Sequence, residues 1–162
     1  MSRLDSFIRR LEAQRACLDH AATLIADLPG NVLEFGLGNG RTYDHLRDRL
    51  PTRDIYVFDR QVAAHPDCIP PKDRLFLGDF RDTLPKAIAQ LGQATALANL
   101  DIGSGDEAAS QALARIMTPY VVHLLTKGGI VISDQPMADS ALKPLQLPDG
   151  IKSGRYFLQQ RR

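Results

Sequence analysis

Tryptophan is absent from the 162 residues, cysteine occurs only at Cys17 and Cys68, and no apolar run approaches the ~18 residues of a membrane span. Two cysteines without paired spacing exclude a disulfide scaffold and a zinc cluster, so no metal site is expected, and they suit a reducing compartment. The first residues are polar and charged (Ser2, Arg3, Asp5, Arg9, Arg10), unlike the apolar core of a secretory signal. A cytoplasmic protein without a membrane partner is the expectation. Charge of one sign is also lacking: Lys+Arg 20 against Asp+Glu 19 leaves a net +1, so no surface built to coat nucleic acid is implied. Internal repeats and low-complexity tracts are missing as well.

What is present suits a folded domain. A 44% hydrophobic and 24% charged composition can form a core, and the length fits one domain. It divides into an N-terminal helix (1–30), an α/β core (31–135) and a C-terminal edge segment (136–162). Residues 3–28 read as one amphipathic helix, with Leu4, Phe7, Ile8, Leu11, Leu18, Ala22 and Ile25 at helical spacing. Ser2 and Asp5 form a candidate capping box, and Pro29-Gly30 closes the helix. It serves either as a cover for the core or as a lid or subunit contact.

Beyond it, strands alternate with helices. Strands are expected at 31–35, 55–59, 74–78, 94–102 and 130–133. Helices are expected at 41–50, at 83–91 and from 106 onward, the last broken or kinked by Pro119. A loop or short turn fills 60–73. The pattern implies a Rossmann-like doubly wound α/β fold, a mostly parallel sheet with helices on both faces. At the C-terminal end, Arg155 to Gln160 reads as an antiparallel edge strand, pairing with Leu145 to Leu147 across the Pro148-Asp149-Gly150 turn.

The informative segment runs from Val32 to Thr42, where a strand passes through Gly36, Gly38 and Gly40 into a helix. Such a turn is too tight for Cβ atoms and brings bare backbone to a ligand at a helix N-terminus. Arg41 stands where the dinucleotide fingerprint requires its third glycine. No Gly-Lys-Ser/Thr follows, which excludes a P-loop. Glu34, two places before the first glycine, favours a cation or an ammonium over a diphosphate.

This pattern resembles the first motif of class I methyltransferases. The run Glu34 to Leu46 (EFGLGNGRTYDHL) also resembles a small bacterial family identified as S-adenosyl-L-methionine methyltransferases. The resemblance implies S-adenosyl-L-methionine as cofactor, S-adenosyl-L-homocysteine as product, and a cofactor site at the turn (Glu34, Gly36, Leu37, Gly38, Asn39, Gly40). Asp59 lies near the expected ~20 residues past the glycines, where an acid accepts ribose hydroxyls; the alternative is a strand-end cap. Asp79 stands where the family contacts the adenine amino group, with Phe80 as a stacking neighbour, yet Asp79 reads equally as a helix N-cap. Asp101 ends the fourth strand and, by resemblance, faces the methionine end of the cofactor or the acceptor. Asp134 is a lesser candidate of the same kind. The backbone N–H groups of Thr42 and Tyr43 are placed to meet the cofactor carboxylate.

Catalysis is less legible. Methyl transfer needs alignment more than covalent help, and a base only where the acceptor loses a proton. Asp101 and His65 are the catalytic candidates; His45 and His123 read as packing or surface residues. The chain has no insertion large enough for an acceptor domain and no Asn-Pro-Pro-Tyr-like segment for a flipped base. A small-molecule acceptor is therefore expected, with nucleic acid disfavoured. The shortened sheet edge beside a long helix suggests a homodimer. Two other functions compete: a non-catalytic module holding S-adenosylmethionine or S-adenosylhomocysteine, and a nicotinamide-dependent oxidoreductase.

Overall fold

The structure, a computed structural model, describes residues 2–162. Helix α1 (Arg3–Leu24) begins at the expected capping box. The Ser2 hydroxyl accepts from the Asp5 N–H, and the Asp5 carboxylate accepts from the Ser2 N–H, both at 3.0 Å. The helix stops at Leu24 rather than 28. Beyond it the Arg53 guanidinium donates to the Ile25 and Gly30 carbonyls, at 2.7 and 2.9 Å, so a cation satisfies oxygens that further helical turns would otherwise use.

The elements that follow are β1 (Asn31–Phe35), α2 (Arg41–Arg49), β2 (Ile55–Asp59), β3 (Leu75–Leu77), α3 (Phe80–Leu91), β4 (Thr95–Leu100), α4 (Glu107–Leu124), β5 (Leu125–Ser133), β6 (Leu142–Pro144) and β7 (Phe157–Arg161). They form one seven-stranded sheet of order β3-β2-β1-β4-β5-β7-β6. The first five strands are parallel, and β7 runs antiparallel to both its neighbours. Between β2 and β3 only two short 3-10 turns form, as the prolines there suggested.

Alternation along each strand divides the core between the two faces. Val32, Val57, Leu97 and Ile132 pack under α1 and α2 with Cys17, Leu18 and Leu46. Leu33, Phe35, Phe58 and Val131 pack on the other face against α3 and α4 with Leu84, Met117 and Val121. On that face Phe58 stacks on Phe35 and on Phe76, with ring centroids 4.4 and 4.6 Å apart.

Four expectations are corrected. Helix α4 continues across Pro119, because Ala114 and Met117 before it and Val121 and Leu124 after it are all buried against the sheet. Strand β7 is not an edge: it lies between β5 and β6, where Leu158 gains cover from strands on both sides. Its hairpin partner is 142–144 rather than 145–147, so the connection runs through 145–156, well beyond the Pro148-Asp149-Gly150 turn. Strand β5 also starts earlier, at Leu125, with a register shift against β4 near Gly128-Gly129.

The aromatic ladder ties the short edge strand β3 to the centre of the sheet. Phe58→Ala removes its middle ring and is expected to cost about 3–5 kcal/mol. Chemical denaturation of the wild type and variant measures this, and a loss below about 1 kcal/mol would show that the ladder contributes little.

Candidate functional site

The turn from β1 into α2 carries Gly36, Gly38 and Gly40 at φ of 90°, 48° and 86°, all in the region that favours glycine. Their reasons differ. A Cβ on Gly36 would sit 2.6 Å from the Asp101 carbonyl oxygen, and one on Gly40 would sit 2.4 Å from the Cys68 Cβ. Those two are required by the protein's own packing. Gly38 alone has open space where a Cβ would stand.

That space belongs to a cleft of about 270 Å³ at the carboxyl ends of β1, β2 and β4. Gly36, Leu37, Gly38, Asn39 and Thr42 form one wall, Asp59 and Asp101 the next, and Phe7, Arg10, Leu11 and Gln14 of α1 the roof. The Asp59 carboxylate holds the turn in place. Its Oδ2 accepts from the Leu37 N–H at 2.7 Å and the Gly38 N–H at 3.1 Å, and its Oδ1 from the Gln61 N–H at 3.2 Å. Backbone donors thus converge on one acid, while its outer lone pairs border the cleft.

Glu34 lies beneath this wall, fully buried. Thr42 Oγ1 donates to its Oε1, and Asn99 Nδ2 donates to its Oε2 at 2.8 Å. One carboxyl therefore links β1 to the first turn of α2 and to β4. Burial pushes its pKa up to about 8, against the opposing pull of the Thr42 and Asn99 hydrogen bonds, with Asp101 adding a further push. Glu34 reaches the cleft only through Thr42.

Opposite the turn, Asp101 is gripped from α1. Arg10 Nη2 donates to both its oxygens, at 2.8 and 3.1 Å, and Gln14 Nε2 donates to Oδ2 at 3.1 Å. Next to it, Asp134 accepts from the Ile102 and Gly103 N–H groups, at 3.2 and 2.8 Å. Burial raises the Asp134 pKa, and Asp101 adds to the rise. Tyr156 completes the cluster. Burial pushes its phenol up to about 12 although the neighbouring Arg10 guanidinium pulls it down.

A cleft lined by Asp59, Asp101, Arg10 and Arg41 beside one bare glycine suits a ligand that carries both charges and hydroxyl groups. It offers no second open glycine for a pyrophosphate. The sequence matches the S-adenosyl-L-methionine methyltransferase family over residues 1–161. The chain belongs to that family. It is 44% identical to an S-adenosyl-L-methionine methyl transferase from Silicibacter pomeroyi DSS-3, with a TM-score of 0.94 over 100% of this chain and 99% of that one. The S-adenosylhomocysteine-bound methyltransferase PaMTH1 of Podospora anserina shares the fold at 15% identity and a TM-score of 0.54, over 100% of this chain and 80% of that one. TrmN from Thermus thermophilus does so at 17% identity and a TM-score of 0.54, over 88% of this chain and 48% of that one. No curated protein matches the sequence.

The protein is thus an S-adenosyl-L-methionine-dependent methyltransferase, and the nicotinamide reading falls away. Among the described residues, no helix of this methyltransferase is long and apolar enough to cross a membrane. Several residues singled out in the sequence stand away from the cleft. Asp79 caps α3, accepting from the Arg81 N–H at 2.9 Å and pairing with Arg60 and Arg81. Phe80 is a core residue, edge-on to Phe35. Tyr43 is buried on the inner side of α2, under the Arg47 guanidinium. Gly40 opens α2 as its left-handed N-cap. His65 is exposed, its ring accepting from the Asp67 N–H, while its own backbone N–H donates to the Asn39 carbonyl.

Arg10, Gln14 and Asn99 carry weight that the sequence reading did not give them. The signal for the first two was available. Phe7, Leu11 and Gln14 share a helical face with Arg10 beside it, so polar groups interrupt an apolar stripe.

Because the pKa of Glu34 is raised on folding, its contribution to stability is full below the unfolded value of 4.5 and is lost as pH rises through about 8. Glu34→Gln keeps a neutral group of the same shape. The melting temperature of the wild type should fall between pH 5 and 9, and that of the variant should fall less. Parallel curves would place the charge change elsewhere.

Proposed function

We propose that this methyltransferase holds its cofactor in the cleft beneath α1 and passes the methyl group to a small molecule. One observation carries the reading: the glycine turn, Asp59 and Asp101 come together in a single cleft. When bound, S-adenosylmethionine supplies a methyl group on a sulfonium, which becomes a neutral thioether on transfer.

The residues present suit that group. Asp59 and Gly38 stand together, so a ribose can approach bare backbone while its hydroxyls meet a carboxylate. Asp101 offers negative charge towards a sulfonium and an ammonium. Arg10 and the free N–H groups opening α2 offer positive charge to a carboxylate. Phe7 and Leu11 cover the cleft and limit water, which serves a reaction that depends on alignment. The Asp79, Phe80 and Tyr43 side chains do not line this cleft, while the Tyr43 backbone N–H is among those opening α2. The balanced net charge favours a small acceptor over a nucleic acid.

Leu4 and Ile8, exposed on α1, support a homodimer formed through that helix. Light scattering should report twice the chain mass, falling to one chain mass in Leu4→Asp/Ile8→Asp; a monomeric wild type rejects the dimer.

For the cofactor site, calorimetric titration with S-adenosylmethionine, S-adenosylhomocysteine and NAD should give micromolar binding of the first two and none of the third. Asp59→Ala loses a charged acceptor, worth about 1.5–3 kcal/mol, and should weaken S-adenosylhomocysteine by roughly ten- to a hundredfold. Unchanged affinity in a variant with a normal melting curve would remove Asp59 from the site.

A further inference from the structure

A second cavity, of about 600 Å³, lies between the carboxyl end of β5 and the 144–159 segment that leads through the hairpin. Its size is within the range that takes a small organic ligand whole. Met137, Leu145, Leu147, Ile151, Tyr156 and Phe157 dominate the lining, and no lysine or arginine side chain contributes to it. Asp149 is the charged residue on its wall. Burying an anionic ligand without a cationic partner is costly, so phosphates and carboxylates are disfavoured there.

Two further observations concern the same walls. Among the described residues, Tyr156 Oη and Gln159 Oε1 are the buried side-chain polar atoms without a hydrogen-bond partner, and both residues line this cavity. Gln159 Oε1 is an acceptor that a ligand hydroxyl can serve, whereas the Tyr156 hydroxyl is turned towards Arg10. Tyr156 also stands between the two cavities: its ring lines this one, and its hydroxyl end neighbours Arg10, which roofs the cofactor cleft.

We infer that this cavity binds the methyl acceptor, an uncharged, largely apolar molecule of one or two rings bearing a hydroxyl group. The inference rests on the cofactor reading above, since it places the acceptor one side chain away from the proposed donor cleft. Tyr156 and the Arg10–Asp101 pair form the partition between them. The apolar lining and Asp149 select against anionic acceptors.

The test uses 2-naphthol, a neutral bicyclic phenol, and 2-naphthoate, its anionic counterpart, titrated into the protein saturated with S-adenosylhomocysteine. Naphthol should bind, and naphthoate should bind at least about tenfold more weakly. Leu147→Trp and Ile151→Trp each fill the cavity from its loop wall and should weaken naphthol by at least about tenfold. Both should keep the wild-type melting temperature and S-adenosylhomocysteine affinity. Absence of naphthol binding, equal binding of naphthoate, or wild-type naphthol affinity in both tryptophan variants overturns the inference. If S-adenosylhomocysteine itself does not bind, the cofactor reading fails, and naphthol titrated into the free protein with the same variants still decides the cavity.

Discussion

A carboxyl group with no exposure to water organises the cofactor end of the molecule. Glu34 sits on β1 where alternation turns it towards the α1 and α2 face, among apolar neighbours. Its two oxygens are spoken for by Thr42 and Asn99, so the start of α2 and the middle of β4 are fixed relative to β1. Asp59 holds the turn from the β2 side, and the His65 N–H holds the Asn39 carbonyl. With Glu34, the turn is held from below and from β2 at once. The position of the glycine turn depends on these two acids, one buried, the other bordering solvent.

Much of this could be read from residue order. The strand–glycine–helix run gave β1, the turn and α2, and the acids at strand ends marked Asp59 and Asp101, because strand carboxyl ends converge by geometry in a parallel sheet. Individual roles were harder. A sequence does not distinguish a glycine needed for a ligand from one that packing also requires, and at Gly36 and Gly40 a Cβ would meet Asp101 and Cys68. Phe80 follows Asp79 into a helix, and helical phase turns it into the core.

The misreadings at the C-terminal end have a common cause. Short strands are defined by their partners more than by their own residues, and 142–144 has little to mark it before β7 is placed. Likewise Pro119 argued for a break on local grounds, and burial on both sides of it prevailed. For Arg10 and Gln14 the interrupted apolar stripe marks the residues, but their partner Asp101 is distant in sequence and the stripe does not name it.

The roof of the cleft differs in character from its walls. Helix α1 buries one face from Ala13 onward, but its earlier turns expose Leu4, Phe7 and Ile8 and are tied down by the Arg10–Asp101 contact and by Arg155, which donates to the Ser6 carbonyl. Few buried contacts mean a low free energy of local opening, so these turns belong to the part of the molecule that opens most readily. Such a segment makes a door. The cleft can admit a ligand by fraying a helix end rather than by moving a domain, and whatever then bridges roof and wall adds its binding energy to the order of that helix.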